Sequence, residues 1–446
     1  MSLRADLPVT SCFVPEDLTT FRDRLDPEWI AAALEATGTA TLRRRRLPAE
    51  MVIWLMIGIA LIRNRRISEV VSCLDLALPV PSGRTVAPAS IPPARERLGA
   101  EPIKWLFEHT GAVWAAEGAN EQRWRGLAIY GIDGTSLRVA DSPENRSTFG
   151  GHKGGPNAAE SGYPIMRVLG LMALRSHVLA GAAVGGYATT DELGLAPDLC
   201  RQVPNDSLTI LDRNFLTPQI LVPLERDGQN RHWLTRAKSN TVFRVTKSLG
   251  PGDDLVEMNV SRPAQAKEPS LGKTWNARAI RYQRKGFQPQ LLLTSLVDPD
   301  LYPASELAQM YHERWEIELG YGEIKTDMLE RMESLRSKKP EGVLQELWGV
   351  LLAYNLVRLE MARIAREVGV PPTRISFVLA LTRICDEWMW TAITTSPGAV
   401  PKHLSQLREK LKLLTLPPRR TDRTYARVVK SGTSRYPRAK RKVEPK

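Results

Sequence analysis

Cysteine is scarce in this sequence: Cys12, Cys73, Cys200 and Cys385 are the only four among 446 residues, and no two form a C-x-x-C pair. That excludes a disulfide framework and a zinc knuckle, and it fits a reducing cytoplasm. The six histidines are scattered and show no H-E-x-x-H or related metal spacing. The opening "MSLRADLPVTSCFVPEDL" has no basic-then-apolar leader pattern. Long apolar runs are also missing. The most apolar stretch, "MVIWLMIGIALI" at 51–62, is twelve residues long and bracketed by "RRRR" and "RNRR". A bilayer needs about 20 residues, so it reads as a buried core helix and no membrane partner is expected. "GGHKGG" at 150–155 lacks the P-loop spacing and the Ser/Thr after Lys, and reads as a mobile loop.

What the chain has in surplus is positive charge. Formal net charge is +13, in an otherwise ordinary composition of 43% hydrophobic and 25% charged residues. Such a surplus points to a polyanionic partner, nucleic acid first, because Lys and Arg displace counterions condensed on phosphates. The last thirty residues carry eleven Lys/Arg against two acids, Asp422 and Glu444, which suits phosphate contact. Arg43 to Arg46 and Arg63, Arg65 and Arg66 flank the apolar helix, either as phosphate contacts or as solvated helix ends.

Residues 1–118 read as mostly helical; "DPEWIAAALEATG" has an Asp cap and a closing Gly. From 127 the character changes to β: "LAIYGIDGTSLRV", with D-G as a turn signal, then "PIMRVLGLMAL", "HVLAGAAVGGY", a capped helix from "TTDELGL", and "SLTILDRNF". This describes a mixed α/β core. Residues 228–298 are strand-rich again, and helices resume from Pro303 to about 369, broken near "SKKPEG".

The segment "YHERWEIELGYGEIK", 311–325, holds four glutamates. At about 100° per residue, Tyr311, Arg314, Glu318 and Lys325 fall within an arc of roughly 60°, and Glu313, Glu316 and Glu323 face away as solvated or packed surface. Arg314 and Glu318 alone could be an ordinary (i, i+4) ion pair; a phosphate-binding stripe around a metal-binding carboxylate accounts for all four residues. Two more acids end apolar strands next to turns: Asp133 in "DGT" and Asp212 in "DRN". Two-metal phosphoryl transfer needs a few convergent carboxylates and no covalent enzyme intermediate. Trp315, beside Arg314, reads as core packing.

The Tyr311/Arg314/Glu318/Lys325 spacing resembles the Y-R-E-K signature of DDE transposases of the insertion-sequence-four type. "IDGTSLRVADSPEN" and "ILDRNF" resemble their first and second Asp regions, and "PASIPPARERLG" the helix before the first strand. The resemblance implies a ribonuclease H-like catalytic core, a mixed sheet flanked by helices, at 119–215 and 301–370. It further implies a helical DNA-binding domain at 1–118, a β-rich insertion at 216–300, and a helical region with a basic tail at 371–446. By motif, Asp133, Asp212 and Glu318 would be the catalytic ligands of two Mg²⁺ (or Mn²⁺) ions, and Tyr311, Arg314 and Lys325 would hold DNA phosphates. The implied activity is cleavage at the ends of an insertion sequence and strand transfer into target double-stranded DNA, by a homodimer at a bacterial nucleoid. Relatives that stack a flipped base on a Trp carry it 28 residues before the Glu; here that position is Gln290. Trp275 or Tyr282 would then supply the stacking, or the hairpin step works otherwise. A nuclease of the same fold without strand transfer, and a DNA-binding regulator with a degenerate site, stand as alternatives.

Overall fold

A computed structural model describes residues 25–40, 47–73, 87–152, 162–283, 288–330, 334–391 and 416. The first helix, α1 (Pro27–Ala36), starts where Asp26 caps it, its carboxylate accepting from the Glu28 N–H at 2.8 Å. The apolar run forms α2 (Ala49–Leu61), buried at every position but Glu50, as a helix apolar on all sides must be. Helices α3 (Ile67–Cys73), α4 (Ile91–Leu98) and α5 (Glu101–Asn120) complete the N-terminal part.

The sheet begins with β1 (Ala128–Val139), followed by α6 (Pro143–Phe149) and the antiparallel strands β2 (Ile165–Ala173) and β3 (Leu179–Gly186). Helix α7 (Glu192–Cys200) crosses to β4 (Ser207–Leu211), parallel to β1, and α8 (Pro218–Arg226) crosses to β5 (Arg231–Arg236), parallel to β4. Strands β1 to β4 thus appear in the order and type read from the sequence. The strand-rich segment continues the same sheet: β6 (Arg244–Gly250), β7 (Asp253–Asn259), helix α9 (Arg262–Lys267), β8 (Thr274–Tyr282) and β9 (Gln290–Thr294). Strand order is β3-β2-β1-β4-β5-β9-β8-β7-β6, with β9 antiparallel to β5. Strand β6 was not legible, because it is the exposed outer edge and alternates no apolar face toward the core.

The C-terminal helical stretch begins with α10 (Ala304–Met310), passes through a 3₁₀ turn (Tyr311–Arg314) into α11 (Trp315–Gly322), and ends in a π turn (Glu323–Met328). After the two-residue strand β10 (Ser334–Leu335), Pro340 opens the 29-residue helix α12, Pro340–Val368, and α13 (Phe377–Thr391) follows. Buried through its middle, α12 packs against both α2 and α5, tying the N-terminal helices to the sheet. Two expectations are corrected. The D-G pair at 133–134 makes no turn, since β1 runs straight through it. Arg63 is neither solvated nor aimed at a phosphate: it is buried, donating to Glu346 of α12 at 2.8 Å. Arg43 to Arg46, Lys153 in the glycine-rich loop and the basic tail lie outside the described residues.

Candidate active site

Strand register brings the two aspartates together. Pairing between parallel β1 and β4 runs from Ala128↔Ser207 to Ile132↔Leu211, so the next step sets Asp133 beside Asp212. Strand β4 ends there, whereas β1 continues, and among the described residues its later pairing on that side is with β10 at Arg138 and Val139. Asp133 is therefore an interior residue of β1, exposed on its flank by the end of its neighbour rather than by a turn of its own. Asp212 does stand at a strand end, where Thr235 donates to its backbone carbonyl at 3.1 Å.

The helix carries the third carboxylate to the same place. Arg314 donates to Asp133 Oδ2 at 3.0 Å and to Glu318 Oε1 at 2.6 Å, bridging strand and helix. The (i, i+4) pair is present, but as half of a three-residue bridge. Burial pushes the Asp133 carboxyl up to about 6; the Gly134 N–H and Arg314 pull it down, and the nearby charges of Glu318 and Asp212 push it up again. Tyr311 is buried, which raises its phenol to about 12, and Asp212, Arg314 and Arg236 all act on it electrostatically. Lys325 lies in the π turn and is half-buried. The 3₁₀, α and π segments replace the uniform helix assumed from the spacing. Among the described residues, no three His, Cys, Asp or Glu side chains stand close enough to ligate one ion as they lie.

The other glutamates of the segment are tied down. Glu313 accepts from Arg175 at 2.8 Å, Glu316 pairs with His177 Nε2 at 2.8 Å, and Glu323 pairs with buried Arg358. Glu318 has the most exposed side chain of the four, at 39%. Trp315 is 42% exposed with the Arg314 guanidinium over its ring at 5.1 Å, which overturns the reading of it as core. Two residues were missed. Tyr321 donates to the Asp133 backbone carbonyl at 2.6 Å; its place three residues after Glu318 was the available signal. Glu192 accepts from Asn214, two residues past Asp212, at 3.2 Å and pairs with Arg167 at 3.5 Å. No sequence signal marks it, because only the fold brings α7 here.

A mixed sheet flanked by helices, with β4 and β5 added parallel to the central β1 and β2 and β3 antiparallel on its other side, is a ribonuclease H-like core. Residues 15–108 match the insertion element 4 transposase N-terminal family and residues 124–356 the transposase DDE domain. The chain is 38% identical over 430 residues to transposase InsG of insertion sequence element IS4 from Escherichia coli K12, covering 96% of this chain and 95% of that protein. It is 35% identical over 242 residues to the putative transposase InsZ of the same organism, covering 53% of this chain and 79% of the relative. The solved piggyBac transposase synaptic complex with hairpin DNA aligns with a TM-score of 0.44 at 13% identity over 93% of this chain and 87% of that one, too weak a likeness to compare part by part. The chain belongs to the insertion-sequence-four family of DDE transposases, enzymes that bind and act on DNA and depend on a divalent metal. No described helix is long and apolar enough to cross a membrane.

Proposed function

We propose that Asp133, Asp212 and Glu318 hold two divalent cations, Mg²⁺ or Mn²⁺, where the protein cuts the ends of its insertion sequence and joins the freed 3′-hydroxyls to target DNA. The observation that supports this is the β1/β4 register, whose last pair, Ile132↔Leu211, immediately precedes Asp133 and Asp212, together with the Arg314 bridge from Asp133 to Glu318. The donor set fits the group: the three side chains offer only carboxylate oxygens, the ligands hard cations take. One guanidinium bridges Asp133 and Glu318, holding on one side of the sheet the two carboxylates that would share a cation. When bound, the metals would activate the attacking oxygen and offset charge on the leaving one.

The chain's own side chains position the DNA. Arg314 has five N–H donors in a planar fork, so two bonds to carboxylates leave donors for a phosphate. Tyr311 and Lys325 complete the phosphate grip. For a flipped base, Tyr282 is the better placed of the two aromatic candidates. It pairs directly with Gln290 across β8 and β9, donating to its Oε1 at 3.1 Å, and meets His312 edge-on at 6.1 Å. Trp275 instead packs on Trp233 at 5.7 Å. Stacking on Tyr282 would support a hairpin intermediate. We assign 1–118 to DNA-end recognition, 119–215 with 301–370 to catalysis, 216–300 to the insertion and 371–446 to non-specific DNA contact, acting as a homodimer at the nucleoid of a bacterial cytoplasm.

The test uses a duplex carrying the gene with its own flanking DNA. Asp133→Ala, Asp212→Ala and Glu318→Ala are each expected to abolish cleavage while keeping DNA binding. Full cutting by Glu318→Ala would sink the assignment. Pre-cut 3′-hydroxyl ends supplied with a plasmid separate strand transfer from simple nuclease action, since only a transposase joins them.

A further inference from the structure

The catalytic helix has two faces built on the same interval. Glu318 and Lys325, seven residues apart, form the face assigned above; Glu316 and Glu323, also seven apart, each precede them by two. Two residues turn a helix through about 200°, so the second pair points to the opposite side. There it meets a buried chain of hydrogen bonds contributed by two other elements. His177, in the β2–β3 turn, is 1% exposed; its Nε2 lies 2.8 Å from Glu316 Oε2. Arg358 of α12, also 1% exposed, bonds both His177 Nδ1 and the carboxylate of Glu323. Tyr354, one turn earlier on α12, donates to Glu323 Oε2 at 2.8 Å. Nδ1 thus faces both the Arg358 guanidinium and, at 3.5 Å, Glu323 Oε2, while Nε2 faces Glu316.

We propose that this relay, Glu316–His177–Arg358–Glu323, is a rotational clamp that positions the catalytic helix about its own axis; the inference rests on Glu318 acting as proposed above. Four features support it. A buried ion pair is expensive and commonly replaceable by apolar residues, so packing alone gives little reason to keep one here. The relay grips the helix at both ends of two turns, which resists rotation where a single contact would act as a pivot. Its lower grip falls in the π turn that also carries Lys325, and π turns are rare and concentrate at functional sites. His177 holds φ 62, a left-handed conformation costly for a residue with a Cβ, in the β2–β3 turn that carries its ring into the relay. With side chains reaching about 5–6 Å from a helix axis, a 20° rotation moves the Glu318 carboxylate by roughly 2 Å. Misplacement on that scale costs about 100-fold in rate.

His177→Asn keeps a residue that tolerates positive φ but is too short to bridge; His177→Gln is one methylene longer and offers an acceptor and a donor in place of the two ring nitrogens. Because Glu323→Gln alone would leave Arg358 buried without a counter-charge, the pair is tested as Glu323→Leu/Arg358→Met. On the same duplex, His177→Asn and the double variant are expected to melt and bind DNA like wild type and to lose about 100-fold in single-turnover cleavage. His177→Gln should recover most of that loss. Wild-type rates in both impaired variants would overturn the clamp. So would a loss of rate that tracks a fall in melting temperature with no rescue by Gln, which would mark the relay as a mere prop. Glu318→Ala run alongside keeps the two readings apart: its activity decides the site, and the His177 series decides the clamp.

Discussion

Arg314 lies 3.0 Å from Asp133, an ion pair that joins the middle of β1 to the start of α11. Because the same guanidinium reaches Glu318 at 2.6 Å, its flat two-sided fork fixes the distance between a strand carboxylate and a helix carboxylate. A lysine carries the charge but not the fork. Arg314→Lys is therefore expected to lower the single-turnover cleavage rate by about 10-fold or more, the scale of one lost charge-assisted hydrogen bond. Its fold should be intact by circular dichroism. Equal rates for Arg314→Lys and wild type would show that only the charge matters.

Gly134 is glycine for space rather than for a turn. A Cβ there would lie 2.7 Å from Cδ and 2.9 Å from Cγ of Glu192, closer than such atoms approach. Glu192 cannot give way without loosening Arg167 and Asn214. Gly134→Ala should destabilise by about 1–3 kcal/mol, the usual cost of overpacking. Adding Glu192→Ala should return much of it. Urea unfolding of the two single variants and the double variant measures this coupling.

Tyr321→Phe isolates one hydrogen bond. The ring is buried beside Gly170, whose missing Cβ leaves room for the hydroxyl, and that hydroxyl donates to the Asp133 carbonyl. Phe fits the same space, so the expected loss is about 1 kcal/mol by urea unfolding. A loss of several kcal/mol would mean that Tyr321 organises more of β1 than this contact.

Much of this site could be read from sequence because its parts are local. The apolar run before Asp212 ends where the strand ends, and the Arg314–Glu318 spacing is a helical one. Asp133 was singled out for a partly wrong reason: D-G usually marks a turn, but β2 pairs with β1 along its length and holds the pair extended. What stayed hidden depends on chain segments far apart. Glu323 looked like surface because its partner Arg358 is 35 residues away, and His177 lies a further 146 residues up the chain from Glu323. Trp315 looked like core because a Trp on a helix usually is; nothing local says that its face borders an open site.

The buried ion pair also sets a pH dependence. Burial alone would raise the Glu323 carboxyl, but Arg358, His177 and Tyr354 together hold it down at about 2, against an ordinary value near 4.5. A carboxylate depressed by folding contributes stability above its unfolded value and loses it as pH falls through the folded one. Wild-type stability is thus expected to hold above about pH 4.5 and to drop between there and about pH 2. Other carboxylates titrate in the same window, so the informative quantity is a difference between proteins. In Glu323→Leu/Arg358→Met this contribution is absent, and the acid limb should be shallower by the share of one proton. Urea unfolding at intervals from pH 7 to pH 3 measures both slopes, and identical slopes would mean that Glu323 is not held charged by Arg358.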